Sequence, residues 1–563
     1  MKIQLNRRHF LKLTGAVGAA TALGLHNMPA HAQAAGVSRS IDLTLEQQAS
    51  RFLTQATLGP TPTLINEVAL LGPEAWVEAQ FNQPIGLLQP VVEQFIEEEE
   101  AKEDEGELNA TFSWGWWQQA MTSPDVLRQR TAFALSEIFV ISQRSDELAD
   151  SPDGVASYYD LLVRNAFGNF RDLLTEVSMH PTMGFYLSHV RNRKTNIAEN
   201  RFPDENYARE IMQLFSIGLF ELNQDGTQKL DADGNPIPTY SNEEITELAK
   251  VFTGLTFAGG NLNHEEFLYG EPNFTDPMVM FEFEHEISDK KLLNGFTIFA
   301  GQTGLKDIQD AVEHLFNHEN VGPFIGHKLI QRLVKSNPSS EYIFRVAAAF
   351  NDNGQGLRGD MRAVVKAILL DPEARDTSFM NDPTHGMLRE PFVRYVHLLR
   401  ALETQSTTGT FKNNGYYTNH VLKQYPMKSP SVFNFFLPAH QPLGPVADAG
   451  LVAPEFQITT SVSAITGINF MNAVTFGQYV LEVPEDEEDE MSISLDIAEA
   501  ESISGDLDAL IDYLDLLLTY GTLSDEMRQV IKNAIEPLDE EPMYRVFGAL
   551  YLFTISPEYA VMK

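Results

Sequence analysis

The sequence contains no cysteine among its 563 residues. This absence excludes a disulfide framework, a thiolate metal site and a cysteine nucleophile. Any metal would have to be held by histidine, carboxylate or carbonyl oxygen. After the N-terminal segment, no stretch reaches the roughly 18 uncharged apolar residues that a membrane-spanning helix needs, so we expect no integral membrane segment in the mature chain.

Basic residues are scarce relative to acidic ones. The chain has 78 Asp and Glu against 40 Lys and Arg, a formal net charge of −38. Nucleic acids and anionic membranes are bound through Lys and Arg, so this balance argues against both as partners. A Gly-x-Ser-x-Gly elbow, a phosphate-binding loop and a dinucleotide-binding fingerprint are also absent, which argues against the common serine hydrolases, nucleotide hydrolases and NAD enzymes.

The N-terminus has the features of an export signal. Arg7 and Arg8 are followed closely by Phe-Leu-Lys, which forms a twin-arginine motif. The mild apolar stretch 13–25 is too short to span a bilayer, and an Ala-His-Ala sequence ending at Ala32 provides a cleavage site. The sequence therefore predicts a signal peptide over residues 1–32 and a periplasmic or secreted mature protein.

Most of the remaining chain has helical patterning. Two capping boxes, Thr44 with Gln47 and Ser241 with Glu244, each open a predicted helix. A proline after Ser123 predicts the start of a strongly apolar helix over 125–142. Further helical patterns cover residues 155–190, 205–217, 305–335, 340–370, 387–403, 455–475, 507–534 and 541–555.

Signals for β structure and for loops are few. Asp-Gly turns at Gly226 and Gly234 predict a short hairpin, and the alternation over 279–286 is typical of an edge strand. Two strongly acidic segments, 97–107 and 484–501, are predicted as solvated loops because like charges repel. The fold class is therefore mainly α, a large multi-helix bundle-like body with a small β-hairpin insertion.

Composition shifts divide the mature chain into four predicted regions. They are an N-terminal helical region with the hairpin over 33–260, a second helical region over 261–483, an acidic loop over 484–506 and C-terminal helices over 507–563.

Several long blocks together form a family signature. The blocks are Arg51–Pro60, Leu127–Phe139, Tyr158–Asn165, Met179–Met183, Asp204–Phe215, Phe252–Gly254, His285-Glu286, Phe316–His318 and Ser429–Phe435. In these blocks the chain resembles the bacterial "domain of unknown function 1800" family over about residues 45–560. The resemblance implies a largely helical, often exported protein and a co-exported sulfatase-like partner, but no activity. Glu286 and Glu319 stand where the family usually has Asp and Pro, which weakens the case for tight metal geometry there.

The block Asp204–Phe215 supplies one group of candidate site residues. Asn206 and Glu210 lie on a polar stripe beside an apolar helix face, and Glu205 pairs with Arg209 on the outer side. Such a stripe is either a buried hydrogen-bond network or a cleft wall. In the second case Glu210 is an acid/base candidate, and Asn206 and Arg209 bind substrate.

Glu137 is a second candidate because it lies in a segment that is apolar nearly all round. A buried carboxylate must be paired or protonated. We expect an arginine from elsewhere in the chain to be its partner, with Arg209 as one candidate. The residue is either half of a core salt bridge or a general acid or base tuned by burial.

The histidines are weaker candidates. His314 and His318 have the i,i+4 spacing that lets two imidazoles meet one metal on a helix. His285 follows Glu282 with the letters of a diiron motif, but the strand-like pattern would turn the two side chains to opposite faces. His285 and His318 remain candidate metal ligands, and His180, before a proline at a helix end, is a candidate base or helix cap. The sequence identifies no cofactor.

Three of the four tryptophans lie within four residues. Trp116 and Trp117, with Trp114, are able to stack on sugar rings and so bind substrate, although helix packing is the commoner use of such a cluster.

The sequence leaves two functions open, and a weaker third. The first is an extracytoplasmic enzyme that uses carboxylates, with or without a bound metal, on a polymer or cell-envelope substrate. The second is a non-enzymatic binding or assembly protein that works with a co-exported partner. The third is a redox protein with an acquired cofactor.

Overall fold

The computed structural model describes residues 41–102, 107–261, 263–477, 480–487, 491–538 and 541–563. The predicted signal peptide, residues 1–32, lies outside these ranges. Within them no helix combines the length and the hydrophobicity needed to cross a membrane.

The described chain is mainly α, as predicted. Four of the longer predicted segments, 155–190, 305–335, 340–370 and 507–534, each contain two or three separate helices. The α-helices are α1 Leu45–Ala56, α2 Pro62–Leu71, α3 Pro73–Gln80, α4 Gln89–Glu100, α5 Thr111–Thr122, α6 Val126–Ser136, α7 Asp146–Ala149, α8 Pro152–Asn165, α9 Phe170–Met179, α10 Pro181–Tyr186, α11 Asn206–Gln213, α12 Asn242–Val251, α13 His264–Tyr269, α14 Gly304–Phe316, α15 Val321–Leu333, α16 Ser340–Asn351, α17 Met361–Leu369, α18 Pro372–Arg375, α19 Pro391–Ala401, α20 Tyr416–Leu422, α21 Pro445–Asp448, α22 Ser461–Thr475, α23 Ala498–Ile503, α24 Leu507–Leu518, α25 Asp525–Ile535, α26 Pro542–Thr554 and α27 Pro557–Ala560.

Strands are two residues long and pair in separate antiparallel ribbons. β1 pairs with β2, β3 with β4, β5 with β8 and β6 with β7. They are β1 Leu255–Thr256, β2 Val279–Met280, β3 Lys290–Lys291, β4 Thr297–Ile298, β5 Met387–Leu388, β6 Gln405–Ser406, β7 Ile493–Ser494 and β8 Val561–Met562. The predicted edge strand over 279–286 is therefore wrong beyond Met280, because Glu282–Glu284 forms a 3-10 turn instead.

The hairpin insertion forms where the Asp-Gly turns predict it. Antiparallel bridges join Leu222 to Gln228 and Leu230 to Pro236 across the two turns. Gly226 and Gly234 have φ of 79° and 85°, a left-handed conformation that glycine adopts without steric cost. The side chain of Asp231 accepts hydrogen bonds from the backbone within its own turn, which accounts for the acidic residues of this segment.

Both predicted capping boxes are confirmed. Thr44 Oγ1 accepts from Gln47 N, and the Gln47 side chain accepts from Thr44 N, at the start of α1. Ser241 and Glu244 make the corresponding pair of bonds at α12. Capping is a local interaction, so the residues that form it are adjacent in sequence.

The predicted helix over 125–142 is wrong in its second half. It ends at Ser136, because the backbone beyond that point bonds to other segments. Phe139 O accepts from Tyr158 OH at 2.8 Å, and Gln143 N donates to Met427 O at 2.8 Å. Glu137 therefore occupies the C-cap position of α6.

The acidic segments are more ordered than predicted. The first half of 97–107 is wrong as a loop, because Glu97–Glu100 completes α4 and Glu99 is buried against Lys102 at 2.7 Å. In the second segment Lys412 pairs with Glu487 at 2.6 Å. Glu99 is thus held by a lysine of its own segment and Glu487 by the distant Lys412, and a charge count reveals neither pair.

One large hydrophobic cluster runs from Ala49 to Tyr559 and joins most helices. All residues of α6 are buried, and the helix packs against α8 and α15. Glu137, at the C-terminal end of α6, therefore lies in the interior and faces α15.

Candidate functional site

Glu137 lies in the interior, 5% exposed, at the end of α6. Its Oε2 is 3.6 Å from Nε of Arg332, on α15. The prediction of an arginine partner is confirmed, but the choice of Arg209 is wrong. Arg209 is 40% exposed in its side chain and pairs with Glu205 at 3.4 Å, the outer i,i+4 pair that the sequence predicts.

Two side-chain amides hold the other oxygen of Glu137. Gln424 Nε2 and Asn434 Nδ2 donate to Oε1 at 3.3 and 3.2 Å. Asn434 has φ of +64°, a left-handed conformation that asparagine tolerates better than most residues. Among the described residues, Glu137 Oε2 has no hydrogen-bond partner.

A second carboxyl group lies beside Glu137. Glu390 immediately precedes Pro391, the first residue of α19, and Gln424 Nε2 donates to Glu390 as well as to Glu137. Burial, reinforced by the neighbouring Glu137 carboxylate, raises the pKa of Glu390 well above its ordinary value. Two carboxyl groups this close favour one shared proton over two charges.

Arg130 and Glu455 complete the buried cluster. Arg130 donates to Arg332 O and interacts electrostatically with Glu390 and Glu137, while burial lowers its pKa. Burial raises the pKa of Glu455 to about 8, although the Arg332 guanidinium opposes this shift.

A cavity of about 50 Å³ borders the cluster, and Glu137, Lys328 and Arg332 contribute to its wall. Lys328 and Arg332 are one turn apart on α15 and so share a face. Lys328 Nζ donates to Leu214 O at 2.9 Å. Burial, and secondarily the Arg332 charge, lowers the pKa of Lys328 to about 7.

The cavity opens beside exposed apolar side chains. Phe433 is 45% exposed and Leu437 is 43% exposed, and both line the cavity. A volume of 50 Å³ holds one small polar group, since a water molecule occupies about 30 Å³ of liquid. The site therefore suits one functional group of a larger molecule whose remainder lies over Phe433 and Leu437.

The residues of the Asp204–Phe215 block separate between interior and surface. Glu210 is buried, and burial raises its pKa against the opposing charges of Arg209 and Lys328. Asn206 is exposed. Of the residues chosen from this block, only Glu210 approaches the cavity, through Lys328.

His180 caps a helix. Its Nδ1 accepts from Thr182 N at 3.3 Å at the start of α10, and its Nε2 lies 3.4 Å from Ser157 Oγ. Burial lowers the pKa of His180 to about 3, so the ring is neutral at physiological pH. The sequence anticipates a cap here, but of the preceding helix and not of the following one.

His285 bridges two segments inside the fold. Its Nδ1 is 2.9 Å from Thr253 O, and its Nε2 is 3.0 Å from Asp307 Oδ2. Asp307 also pairs with the buried Lys290 at 2.6 Å. Both ring nitrogens are within hydrogen-bond distance of oxygen atoms of the chain, so neither faces open space in which a metal would bind.

His314 and His318 lie at the surface end of α14, which stops at Phe316. His314 Nε2 bonds to Leu293 O at 3.0 Å, and His318 Nδ1 accepts from Asn320 N at 3.1 Å. They line an open depression of about 380 Å³. Across the described ranges, no group of three His, Asp or Glu side chains is arranged to hold a metal.

Trp116 and Trp117 pack in the core. Trp116 is 2% exposed and donates to Tyr159 OH at 3.2 Å, and Trp117 is fully buried and donates to Tyr425 OH at 2.7 Å. Their rings contact Phe392, which belongs to α19. Both rings are therefore packed in the core, and neither has an exposed face on which a sugar could stack.

Several residues of the cluster are missed by the sequence reasoning. The sequence signal for Lys328 and Arg332 is their i,i+4 spacing as two cations on a largely apolar helix. Asn434 lies within the Ser429–Phe435 block, and Glu390 stands directly before a helix-opening proline. Only the fold shows that these segments meet around Glu137.

A family model described as "Protein of unknown function (DUF1800)" matches residues 51–561. The chain belongs to this family. The matched range contains every member of the buried cluster of this DUF1800 protein. A twin-arginine translocation signal sequence matches residues 4–24, so the protein is exported by that route and is periplasmic or secreted. No curated protein and no solved structure matches the chain.

Proposed function

We propose that this exported DUF1800 protein is an enzyme that performs acid–base chemistry at the cavity bordered by Glu137, Lys328 and Arg332. One observation carries the proposal. A carboxylate oxygen without a hydrogen-bond partner among the described residues shares a cavity wall with a lysine whose pKa is about 7. A group that titrates near the working pH is the most effective proton donor or acceptor.

The cavity residues have distinct proposed roles. Glu137 accepts a proton from the group that enters the cavity, and Arg332 holds an oxygen of that group. Lys328 gives or takes a second proton, because near neutral pH both of its forms are populated. Glu210 acts on Lys328 as a positioning residue. Burial raises the pKa of Glu390 and of Glu455, which favours their neutral forms beside Arg332.

The substrate class follows from the size and surroundings of the cavity. Only one small group fits inside, and the exposed Phe433 and Leu437 offer apolar contact to the rest of the molecule. We therefore propose a cell-envelope molecule or polymer that presents one hydroxyl, carboxyl or amide to Glu137.

The test compares purified mature wild type with Glu137→Gln and Lys328→Met on fractionated cell-envelope polymers, with released products resolved by mass spectrometry. Removal of an acid–base group lowers the rate about 10²–10⁴-fold. Glu373→Gln is the matched control, because Glu373 is a buried glutamate paired with Lys335 outside the cluster. Equal product formation by wild type and Glu137→Gln contradicts the proposal.

A second candidate function, binding of a partner protein, has its own observation in its favour. Val462 and Ile465, one turn apart on α22, are each 64% exposed. Such patches mark interaction surfaces. The co-exported sulfatase-like partner that the family resemblance implies is one proposed occupant. Co-purification of a tagged mature protein from the periplasm tests it, and charged substitutions at Val462 and Ile465 should abolish capture.

A further inference from the structure

A second cavity, of about 210 Å³, shares no lining residue with the Glu137 cavity. It lies between the N-terminal part of α19, the α22 helix and the end of α26. Most of its wall is aliphatic: Leu388, Leu422, Ile468, Met471 and Ile555.

The hydroxyl groups of this wall bond to backbone oxygens. Ser463 Oγ donates to Ile458 O at 2.8 Å, and Thr554 Oγ1 donates to Tyr551 O at 2.9 Å. Tyr559 OH donates to Arg394 O at 2.5 Å. These hydroxyls hold the local backbone and so do not make the cavity polar.

Arg394 is the exception on this wall. Its Nε is buried and has no hydrogen-bond partner among the described residues. A neighbouring cation, Arg389, repels the Arg394 charge; its own guanidinium donates to Tyr559 O and His397 Nδ1 and forms no ion pair with a described carboxylate. In a chain of net charge −38, two adjacent arginines without an acid are an unbalanced positive site. Buried charges are ordinarily paired, so this site calls for an anion.

The cavity continues onto an apolar outer surface. Ile468 lines the cavity and is itself 40% exposed, and Val462 and Ile465, on the same helix, are each 64% exposed. The entry and the interior of the cavity are thus apolar, and Arg394 supplies one positive charge. These features fit an amphiphile with an anionic head group.

We infer that this cavity binds an aliphatic carboxylate, with the carboxylate on the Arg394 guanidinium and the chain along Leu422, Ile468 and Met471. Arg presents paired donors that match a carboxylate, and such charge-assisted bonds are about twice as strong as neutral ones. A volume of 210 Å³ accommodates roughly seven water-sized groups of about 30 Å³. Octanoate, with roughly seven carbons beyond its carboxylate, is therefore the probe.

The experiment measures octanoate binding to the mature protein by isothermal titration calorimetry, with 1-octanol as the neutral analogue. Wild type should bind octanoate saturably and more tightly than octanol. Arg394→Met should weaken octanoate binding roughly tenfold or more, and leave octanol binding unchanged, because only the charged bond is lost.

A second variant, Gly467→Leu, tests the position of the ligand without changing Arg394. A side chain added at Gly467 would meet no atom within 4 Å and would project into the cavity. Gly467→Leu should abolish binding of both ligands while it raises helix propensity, so the fold is kept. Gly505→Leu, at a glycine with similar free space outside the cavity, is the control and should bind as wild type does.

Any of three results contradicts the inference. One is the absence of saturable octanoate binding by wild type. Another is octanoate binding that Gly467→Leu leaves unchanged, which places the ligand elsewhere. The third is equal weakening of octanoate and octanol by Arg394→Met, which contradicts the role given to the charge. The Glu137 site is unaffected by any of these outcomes, since the two cavities have no lining residue in common.

Discussion

Arg332 Nε lies 3.6 Å from Glu137 Oε2, and both side chains are buried between α6 and α15. Neither residue has a second opposite charge within ion-pair distance in the described parts of the chain. Truncating one partner of such a pair leaves a buried charge without compensation. This pair therefore both stabilises the fold and positions two residues of the proposed site.

Arg332→Met should destabilise the protein by about 3 kcal/mol, the lower end of the range for a broken buried pair, because Glu137 then keeps only the longer-range attraction of Arg130. Calorimetric melting of the mature protein measures the effect. The double variant Glu137→Gln/Arg332→Met should melt above the single variant, since both charges are then gone. Arg171→Met, which removes an exposed ion pair with Asp172, should melt close to wild type. A single variant Arg332→Met that melts with wild type would contradict the pairing.

Glu455 makes stability depend on pH in a defined direction. Its pKa is raised by burial from 4.5 to about 8, so between these values the folded protein holds a proton that the unfolded chain has released. The stability that this proton contributes is fully present below pH 4.5 and is lost as pH rises through 8.

Glu455→Gln should therefore match wild type in melting temperature at pH 5 and exceed it at pH 8.5, because glutamine mimics the protonated acid. The gain at pH 8.5 is on the order of a few kcal/mol. Glu373→Gln is the control of opposite sign, since Lys335 and Ser339 hold the pKa of Glu373 low against its burial. That variant should lose stability at both pH values. A Glu455→Gln effect independent of pH would disprove the assignment.

Asp307 holds two buried groups, Lys290 at 2.6 Å and His285 at 3.0 Å. Asp307→Asn leaves the Lys290 ammonium without its carboxylate and should cost about 3–5 kcal/mol in calorimetric melting. Asp508→Asn removes an exposed pair with Lys532 and should have little effect. Equal melting of these two variants would show that the Asp307 carboxylate does not stabilise the fold.

The sequence predicts well those features that depend on adjacent residues. The capping boxes at Thr44 and Ser241 and the glycine turns of the hairpin form as predicted, because each is completed within a few residues. The end of α6 is different. No proline or glycine stops the helix at Ser136, and the chain leaves it because Tyr158 and Met427 take over its backbone hydrogen bonds.

The site is predicted from the sequence only as far as it depends on residues close together in the chain. The apolar surroundings of Glu137 correctly require a buried partner, because that demand is set by local burial. The identity of the partner depends on which helix packs against α6, and the residues around Glu137 do not predict that packing. Arg209 is one candidate from its motif, yet it lies on the outer side of its helix and pairs with Glu205.

The pKa of Lys328 tests the proposed site most directly, because it needs no knowledge of the substrate. The mature protein is labelled with [¹³Cε]lysine, its NMR signals are followed from pH 5 to 11, and the Lys328 signal is assigned by its loss in Lys328→Met. A midpoint near pH 7 is the predicted result. A midpoint near 10.5, the ordinary lysine value, would contradict the account.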